Sequence, residues 1–257
     1  MRLCAHLSML FRELPVLERP AAAAAAGFTV VETWWLPHGQ MAPWVDAVTA
    51  AGLEVRSLNC DGGDLEAGDR GFLNVPERRA WTVAACEEAV AVARSCGASF
   101  VNLLAGRDTG DADPEAQLAV AAETLAACAE IARGAGIALV VEPINLLDVP
   151  GYLVPTPDAA VWLLKRSGAH DVRLLFDAYH AARAGLDPVA EAVRHVRRIG
   201  HVHYADCPGR GAPGTGDVDL GALVTALVGA GYEGDVGLEL DPGGSIIDAR
   251  ELEAAWT

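Results

Sequence analysis

Short apolar runs alternate along this chain with longer segments in which apolar residues recur at helical spacing. An apolar run of about four to eight residues between turn residues is typical of a strand buried on both faces of a parallel sheet. Eight such runs are predicted as strands: Arg2–His6, Phe28–Glu32, Leu53–Leu58, Ser99–Leu104, Ile137–Glu142, Val172–Asp177, Gly200–Ala205 and Val236–Leu240.

The segments between these runs are predicted mainly as helices. Asp113 and Pro114 are typical of an N-cap and a first helical residue, and Gly134 and Gly136 are expected to end the helix that follows. The Gly- and Asp-rich segment Asn59–Pro76 has no regular pattern, and a loop of this length in a compact domain is usually functional. The other predicted helices include Ala21–Ala26, Met41–Ala51, Glu77–Ser95, Pro157–Lys165, a segment that starts near Asp187-Pro188, Leu220–Ala230 and a short final helix.

The order of these elements predicts the fold. Eight strands alternate with about eight helices, and no linker or shift in composition divides residues 1–257. A chain of 257 residues also has the usual size of an eight-fold (β/α) barrel, which is about 250 residues. We therefore expect a single (β/α)8 barrel, with its active site at the C-terminal ends of the strands.

Four predicted strands end near a carboxylate or an imidazole. Glu142, Asp177, His203 and Glu239 are separated by 35, 26 and 36 residues, and each interval fits one strand with its returning helix. A charge at the end of a buried strand is costly unless it binds a metal, another charge or a reacting proton. Four consecutive repeats of a barrel would direct these side chains to one point, so the sequence predicts a metal site.

The residue types at this site indicate its chemistry. Carboxylate oxygens with one imidazole favour Mg, Mn or Co over a thiolate-type zinc site. A divalent ion that binds two neighbouring oxygens of a hydroxy-ketone acidifies the C–H between them and stabilises the resulting enediolate. Because a carboxylate on each side could take this proton and return it elsewhere, isomerisation or epimerisation of a small-molecule substrate is expected.

Charge and composition exclude several other classes of protein. The formal net charge of −16 opposes binding to nucleic acid, because affinity for phosphates depends on clustered Lys and Arg. No apolar run approaches the roughly 20 residues needed to cross a membrane, and Met1–Phe11 shows no export signal. The six cysteines are scattered without a CxxC pair, which indicates reduced thiols in the cytoplasm. The sequence is compatible with a homo-oligomer but does not specify one.

Several segments resemble the xylose-isomerase-like TIM barrels, and within them the hydroxypyruvate isomerases. The resemblance covers nearly the whole chain. It rests on these segments: Leu7-Ser8-Met9-Leu10-Phe11, Ala26-Gly27-Phe28 with Val31-Glu32, Asn59 with Gly63-Asp64 and Ala67-Gly68, Val141-Glu142-Pro143-Ile144-Asn145, Pro150-Gly151-Tyr152, Phe176-Asp177-Ala178-Tyr179-His180, Pro208-Gly209-Arg210 and Pro213-Gly214-Thr215-Gly216.

The resemblance implies roles for individual residues. Glu142 and Glu239 would be the paired acid/base residues and also metal ligands, with Asp177 as a third ligand. His203 matches the ligand of related sugar epimerases, whereas hydroxypyruvate isomerases tend to have Gln there. His180 is expected to contact the substrate or to orient a ligand.

The chain departs from this family where a substrate would be recognised. The isomerases usually carry two basic residues shortly after Glu239, and this chain has Leu240-Asp241-Pro242-Gly243-Gly244. Gly211-Ala212 replaces a common His-Glu pair, and Ala182 replaces a frequent Gln. A carboxylate substrate needs a cation, and Arg210 is the candidate. His6, where Asn is typical, and Trp35 next to Trp34 are also expected to contact the substrate.

Other interpretations of the same residues stay open. The chain could be a ketose 3-epimerase, or a barrel that has lost its chemistry and only binds a ligand; an endonuclease for abasic sites is disfavoured by the charge. Glu142, Asp177 and Glu239 could form salt bridges at the barrel mouth, with His203 hydrogen-bonded inside. Glu32 and His201 are expected to support the site rather than to react.

Overall fold

The computed structural model describes residues 1–37, 39–110, 112–244 and 247–254. Eight parallel strands pair in sequence order, and the last strand pairs with the first, so the sheet closes into a barrel. The predicted (β/α)8 barrel is therefore confirmed. The strands are β1 Leu3–His6, β2 Val30–Thr33, β3 Glu54–Asn59, β4 Phe100–Leu103, β5 Ala138–Val141, β6 Arg173–Asp177, β7 Ile199–Tyr204 and β8 Val236–Leu238.

Helices connect the strands around the outside of the barrel. They are α1 Arg19–Ala25, α2 Met41–Ala50, α3 Arg79–Cys96, α4 Pro114–Ala135, α5 Pro157–Ser167, α6 Ala178–Arg183, α7 Pro188–His195, α8 Leu220–Gly229 and α9 Ala249–Ala254. Single 3-10 turns precede α3 at Pro76–Arg78 and follow α7 at Val196–Arg198. Asp113 caps α4 as predicted, since its side chain accepts hydrogen bonds from two backbone N–H groups of the first turn.

Two predictions for the helices were wrong. The first helix after β6 begins at Ala178, directly after the strand, and not near Asp187, where α7 begins instead. Gly134 lies inside α4 at an exposed position, where a glycine costs only about 1 kcal/mol relative to alanine. Gly136 ends α4, because its φ of 73° is a left-handed conformation that glycine adopts without strain.

Strand β7 illustrates how the barrel separates an apolar layer from a polar interior. Val202 and Tyr204 belong to the hydrophobic core, while His201 and His203 point to the opposite side and approach Glu32 of β2. Since β2 and β7 are not neighbours in the barrel, this contact crosses its interior. The barrel interior is thus the place where titratable side chains from distant repeats meet.

The thiols and the hydropathy of the helices bear on the protein's environment. The six cysteines, all in the described part of the chain, form no disulfide. No helix in the described ranges combines the length and the apolar character that crossing a membrane requires.

Candidate active site and metal centre

The structure brings together the four side chains that the sequence predicts as metal ligands. Glu142 follows β5, Asp177 ends β6, His203 lies near the end of β7 and Glu239 follows β8. Their ligand atoms all lie within 4.8 Å of one another. Each of the four residues is only 2–4% exposed. The ends of four consecutive strands therefore form one buried cluster, as the barrel geometry predicts.

The carboxylates of this cluster influence one another's pKa values strongly. Burial, together with the charge of Glu239, raises the pKa of Glu142 to about 8. Burial also acts to raise the pKa of Glu239, but Arg210, His6 and His203 outweigh it and hold that pKa well below its usual range. The pKa of His203 is raised because the nearby Glu32 and Glu239 outweigh its burial. Crowded carboxylates of this kind are stabilised by a divalent ion.

The donor atoms that remain available fit a hard divalent metal. Asp177 uses Oδ1 to accept a hydrogen bond of 3.0 Å from the His180 backbone N–H, which leaves its buried Oδ2 without a hydrogen-bond partner. Nδ1 of His203 lies 3.2 Å from Oε2 of Glu239 and 3.9 Å from Oε1 of Glu142. Octahedral Mg²⁺, with bonds of about 2.0–2.1 Å, places its ligands roughly 3–4 Å apart. Three carboxylates and one imidazole therefore suit Mg, Mn or Co.

Glu32 lies beside Nε2 of His203, whereas Nδ1 of the same ring faces Glu142 and Glu239. Its Oε1 lies 3.2 Å from Nε2 of His203, and its Oε2 forms a hydrogen bond of 2.6 Å with Nε2 of His201. A carboxylate behind an imidazole fixes the ring and keeps the opposite nitrogen free to bind a metal. Glycine at position 237 makes room for this contact, since a Cβ there would lie 1.9 Å from Oε1 of Glu32. Glu32, His201 and His203 are themselves close enough to form a second ligand group. Because Glu32 already engages both rings, we assign Glu32 and His201 a supporting role.

A cavity of about 310 Å³ opens above the cluster and is the natural place for a small ligand. Glu142, Glu239, His180 and Arg210 line this cavity, as the sequence predicts for a substrate site. The volume lies at the lower end of the range for ligand pockets, about 300–1,000 Å³. A molecule of a few carbon atoms fits this space better than a large one.

His180 is held as a hydrogen-bond donor towards the cluster. Oδ1 of Asn145 accepts hydrogen bonds from the backbone N–H groups of Leu147 and Asp148, at 3.0 and 2.9 Å. The amide nitrogen of Asn145 therefore faces Nδ1 of His180, at 2.7 Å. Nδ1 must then accept, and the proton of the neutral ring lies on Nε2. This Nε2 is 3.9 Å from both Glu142 Oε1 and Asp177 Oδ2.

Asn145 and Asn102 also form hydrogen bonds to candidate site residues, although the sequence did not assign a role to either. Asn102 at the end of β4 donates a hydrogen bond of 2.9 Å to Oε2 of Glu142. Both side chains are fully buried, which is unusual for asparagine unless it is hydrogen-bonded. The available signal was their position: Asn102 lies near the end of the predicted strand Ser99–Leu104, and Asn145 follows Glu142 by three residues.

Arg210 binds Glu239 directly. Its Nη2 donates a hydrogen bond of 2.8 Å to Oε2 of Glu239, and its Nε donates one of 3.3 Å to the backbone carbonyl of Glu239. The guanidinium also lies over the ring of Tyr179, 5.2 Å from its centroid. Arg210 lines the cavity as expected, but its positive charge is already paired with the carboxylate of Glu239.

The other two expected substrate contacts lie elsewhere. His6 is 1% exposed and is not among the residues that line the cavity; its Nε2 approaches Oε1 of Glu239 at 3.6 Å. Trp34, rather than Trp35, lines the cavity, and its indole N–H donates a hydrogen bond of 2.7 Å to Oε1 of Glu239. Trp35 lines an adjoining groove, which shares Trp34, Leu65 and Glu66 with the cavity. Trp34 directly follows β2 and is two residues past Glu32, so the alternation of the strand directs it to the same side as Glu32.

The chain is similar in sequence and in fold to several known proteins. A family model described as xylose isomerase-like TIM barrel matches residues 20–255. A Streptomyces coelicolor protein, provisionally assigned as a hydroxypyruvate isomerase, is 39% identical over 93% of this chain and 90% of its own length. The 2-oxo-tetronate isomerase of Cupriavidus necator is 34% identical over 94% of this chain and 93% of its own length. A crystal structure of a Brucella melitensis protein titled AP endonuclease, family 2, is 28% identical with a TM-score of 0.93 and covers 99% of this chain and 98% of that one.

Proposed function

The chain belongs to the xylose isomerase-like TIM barrel family, and from that premise we propose that it is a metal-dependent isomerase of a small hydroxy-keto acid such as hydroxypyruvate. It interconverts the keto and aldehyde forms of its substrate by moving a proton between neighbouring carbons. The observation that carries this proposal is the meeting of Glu142 and Glu239 with Asp177 and His203 beneath one small cavity.

Glu142, Asp177, His203 and Glu239 would hold the ion, and the donor set favours Mg, Mn or Co. When bound, the ion supplies positive charge that acidifies the C–H next to a carbonyl and stabilises the enediolate formed from it. Asn102 and Arg210 orient the two glutamates through hydrogen bonds, which fixes each carboxylate before the substrate arrives.

Glu142 and Glu239 carry out the proton transfer. One carboxylate takes the proton from the carbon that bears the hydroxyl group, and the electron pair of that C–H bond forms the enediolate double bond. The neighbouring carbon is then protonated from a carboxylate, and the hydroxyl proton moves to the former carbonyl oxygen. Nε2–H of His180 faces this region and donates to a substrate oxygen.

Replacement of Trp34 by Phe is expected to lower kcat about 10-fold. The indole N–H donates to Oε1 of Glu239, and a hydrogen bond to a charged group is worth roughly 1.5–3 kcal/mol. Phe preserves the ring that lines the cavity, so KM should change little. Trp35→Phe is the matched control. Equal losses of kcat in both variants would contradict the role of Trp34 as a hydrogen-bond donor to Glu239.

Proton NMR of the substrate in deuterated buffer tests the proposed function directly. With Mg²⁺ or Mn²⁺ present, hydroxypyruvate should incorporate deuterium and give the aldehyde form. Other small keto acids and ketoses belong in the same screen. If none of them exchanges or converts, the proposed function is wrong.

A C3 epimerase of free ketoses is the second candidate. His203 among the ligands and the absence of basic residues at Asp241 and Gly243 favour it. Exchange at C3 of a ketose without reaction of hydroxypyruvate would identify the epimerase. A barrel that binds Mn²⁺ and a ligand without any exchange would instead be a binding protein. Cleavage of nucleic acid is not favoured, because the net charge is −16.

A further inference from the structure

Two guanidinium groups line the cavity, and they differ in what they bind. Arg210 is engaged by Glu239. Arg70 donates from Nη1 to the backbone carbonyls of Leu65 and Asp69, at 2.9 and 2.6 Å. Within the described ranges, no carboxylate oxygen lies within 4.0 Å of the Arg70 guanidinium, although the chain carries a net charge of −16. Arg70 is therefore a cation that faces the cavity without a counter-ion.

The acidic residues near Arg70 are already engaged or turned to solvent. Oδ2 of Asp69 accepts a hydrogen bond of 3.0 Å from the Asp64 backbone N–H. Asp148, on the cavity wall, accepts from Asn145 at 3.0 Å and from Tyr179 at 2.7 Å. Glu66 also lines the cavity but is exposed, so water screens its charge.

The surroundings of Arg70 favour an incoming anion. Burial is the main cause that lowers the pKa of Arg70; the positive charges of Arg107 and Arg210 act in the same direction, and the charge of Asp69 opposes them. Arg70 and Arg210 line the same cavity, so a carboxylate that binds there is attracted by both positive charges. A planar guanidinium also binds a carboxylate through two parallel hydrogen bonds.

The loop Asn59–Pro76 fixes Arg70 in place. The carbonyl of Arg70 accepts a hydrogen bond of 2.9 Å from the Gly106 backbone N–H, and the next residue, Gly71, donates one of 2.9 Å to the Gly62 carbonyl. Gly71 has a φ of 82°, and a Cβ there would lie 2.0 Å from the Leu104 carbonyl oxygen, so only glycine fits. The peptide group that joins Arg70 to Gly71 is thus held both by Gly106, just after β4, and by Gly62 of the same loop, which pre-organises the side chain for binding.

We propose that Arg70 binds the carboxylate of the substrate and thereby selects a hydroxy-keto acid over a neutral ketose; this inference rests on the proposed isomerase function. Arg70 supplies, from the loop after β3, the cation that the segment after β8 lacks at Asp241 and Gly243. The long loop then has a specific role: it carries the residue that determines substrate class.

Arg70→Gln tests this inference with two substrates that differ at a single carbon, which is a carboxylate in one and an uncharged group in the other. Dihydroxyacetone has a CH₂OH group where hydroxypyruvate has its carboxylate. Arg70→Gln should lower kcat/KM for hydroxypyruvate about 10- to 100-fold, mainly through KM, and leave proton exchange of dihydroxyacetone within about 2-fold. Arg70→Lys should recover part of the loss, because it restores the charge without the two parallel hydrogen bonds. Arg107→Gln is the matched control, since Arg107 lies near Arg70 but is not among the residues that line the cavity.

Calorimetric binding of D-glycerate, an unreactive hydroxy acid, gives a readout that does not depend on turnover. The Kd for glycerate should rise about 10- to 100-fold in Arg70→Gln and stay unchanged in Arg107→Gln, with equal unfolding temperatures for both variants. An equal loss for the two substrates, or an unchanged glycerate affinity, would overturn the inference. If the wild type exchanges no substrate but glycerate binding still depends on Arg70, the isomerase proposal fails and the anion site stands.

Discussion

Replacement of Glu142 by Gln is expected to lower kcat about 10²- to 10⁴-fold, the usual contribution of a positioned acid/base group. Gln has nearly the same shape and can still accept the hydrogen bond from Asn102, but its amide cannot take or return a proton. Deuterium exchange into the substrate, measured by NMR at saturating Mn²⁺, reports this loss directly. The KM should change much less than kcat, because the cavity wall is preserved.

Glu130→Gln serves as the control for removing one negative charge, since Glu130 lies exposed on α4. This control should retain wild-type exchange. If the Glu142→Gln variant exchanges deuterium into the substrate at a rate within about threefold of the wild type, Glu142 does not transfer the proton.

Replacement of Asp177 by Asn is expected to weaken Mn²⁺ binding at least about 100-fold. Loss of a mere outer partner of a metal ligand already costs about 10–100-fold, and Asp177 is assigned as a ligand itself. The fold should survive, because Asn keeps the Oδ1 that accepts the His180 backbone N–H at the start of α6. Calorimetric titration of metal-free protein with Mn²⁺ measures the affinity without relying on activity.

Asp187→Asn is the matched control, because Asp187 caps α7 in the same way, through Oδ1 to the Val189 and Ala190 backbone N–H groups. It should bind Mn²⁺ like the wild type. Equal affinity in the two variants would exclude Asp177 as a ligand.

The barrel and the proximity of the four candidate ligands could be predicted from the sequence because both follow from periodicity. Alternating strands and helices fix which ends of the strands meet, so Glu142 and Glu239 could be placed together although they lie about a hundred residues apart. The spacing of two residues from Glu32, continued just past β2, favours Trp34 rather than Trp35 as the residue that faces the cavity.

Other features depend on contacts that no periodic pattern encodes. Helix α6 has only six residues and is capped by the last residue of β6, so neither a polar boundary nor a full apolar face marks it. Arg70 lies in an irregular loop, and only the folded backbone shows that it faces the cavity while Arg107 does not. Substrate recognition is therefore less predictable from sequence than the fold.

The central claim is that four strands direct their side chains to a single divalent ion. Anomalous diffraction from crystals grown with Mn²⁺ tests it most directly. We predict one strong peak, bound by Glu142, Asp177, His203 and Glu239 at about 2.0–2.4 Å. A peak bound instead by Glu32 and His201, or no peak within the barrel at saturating Mn²⁺, would contradict it.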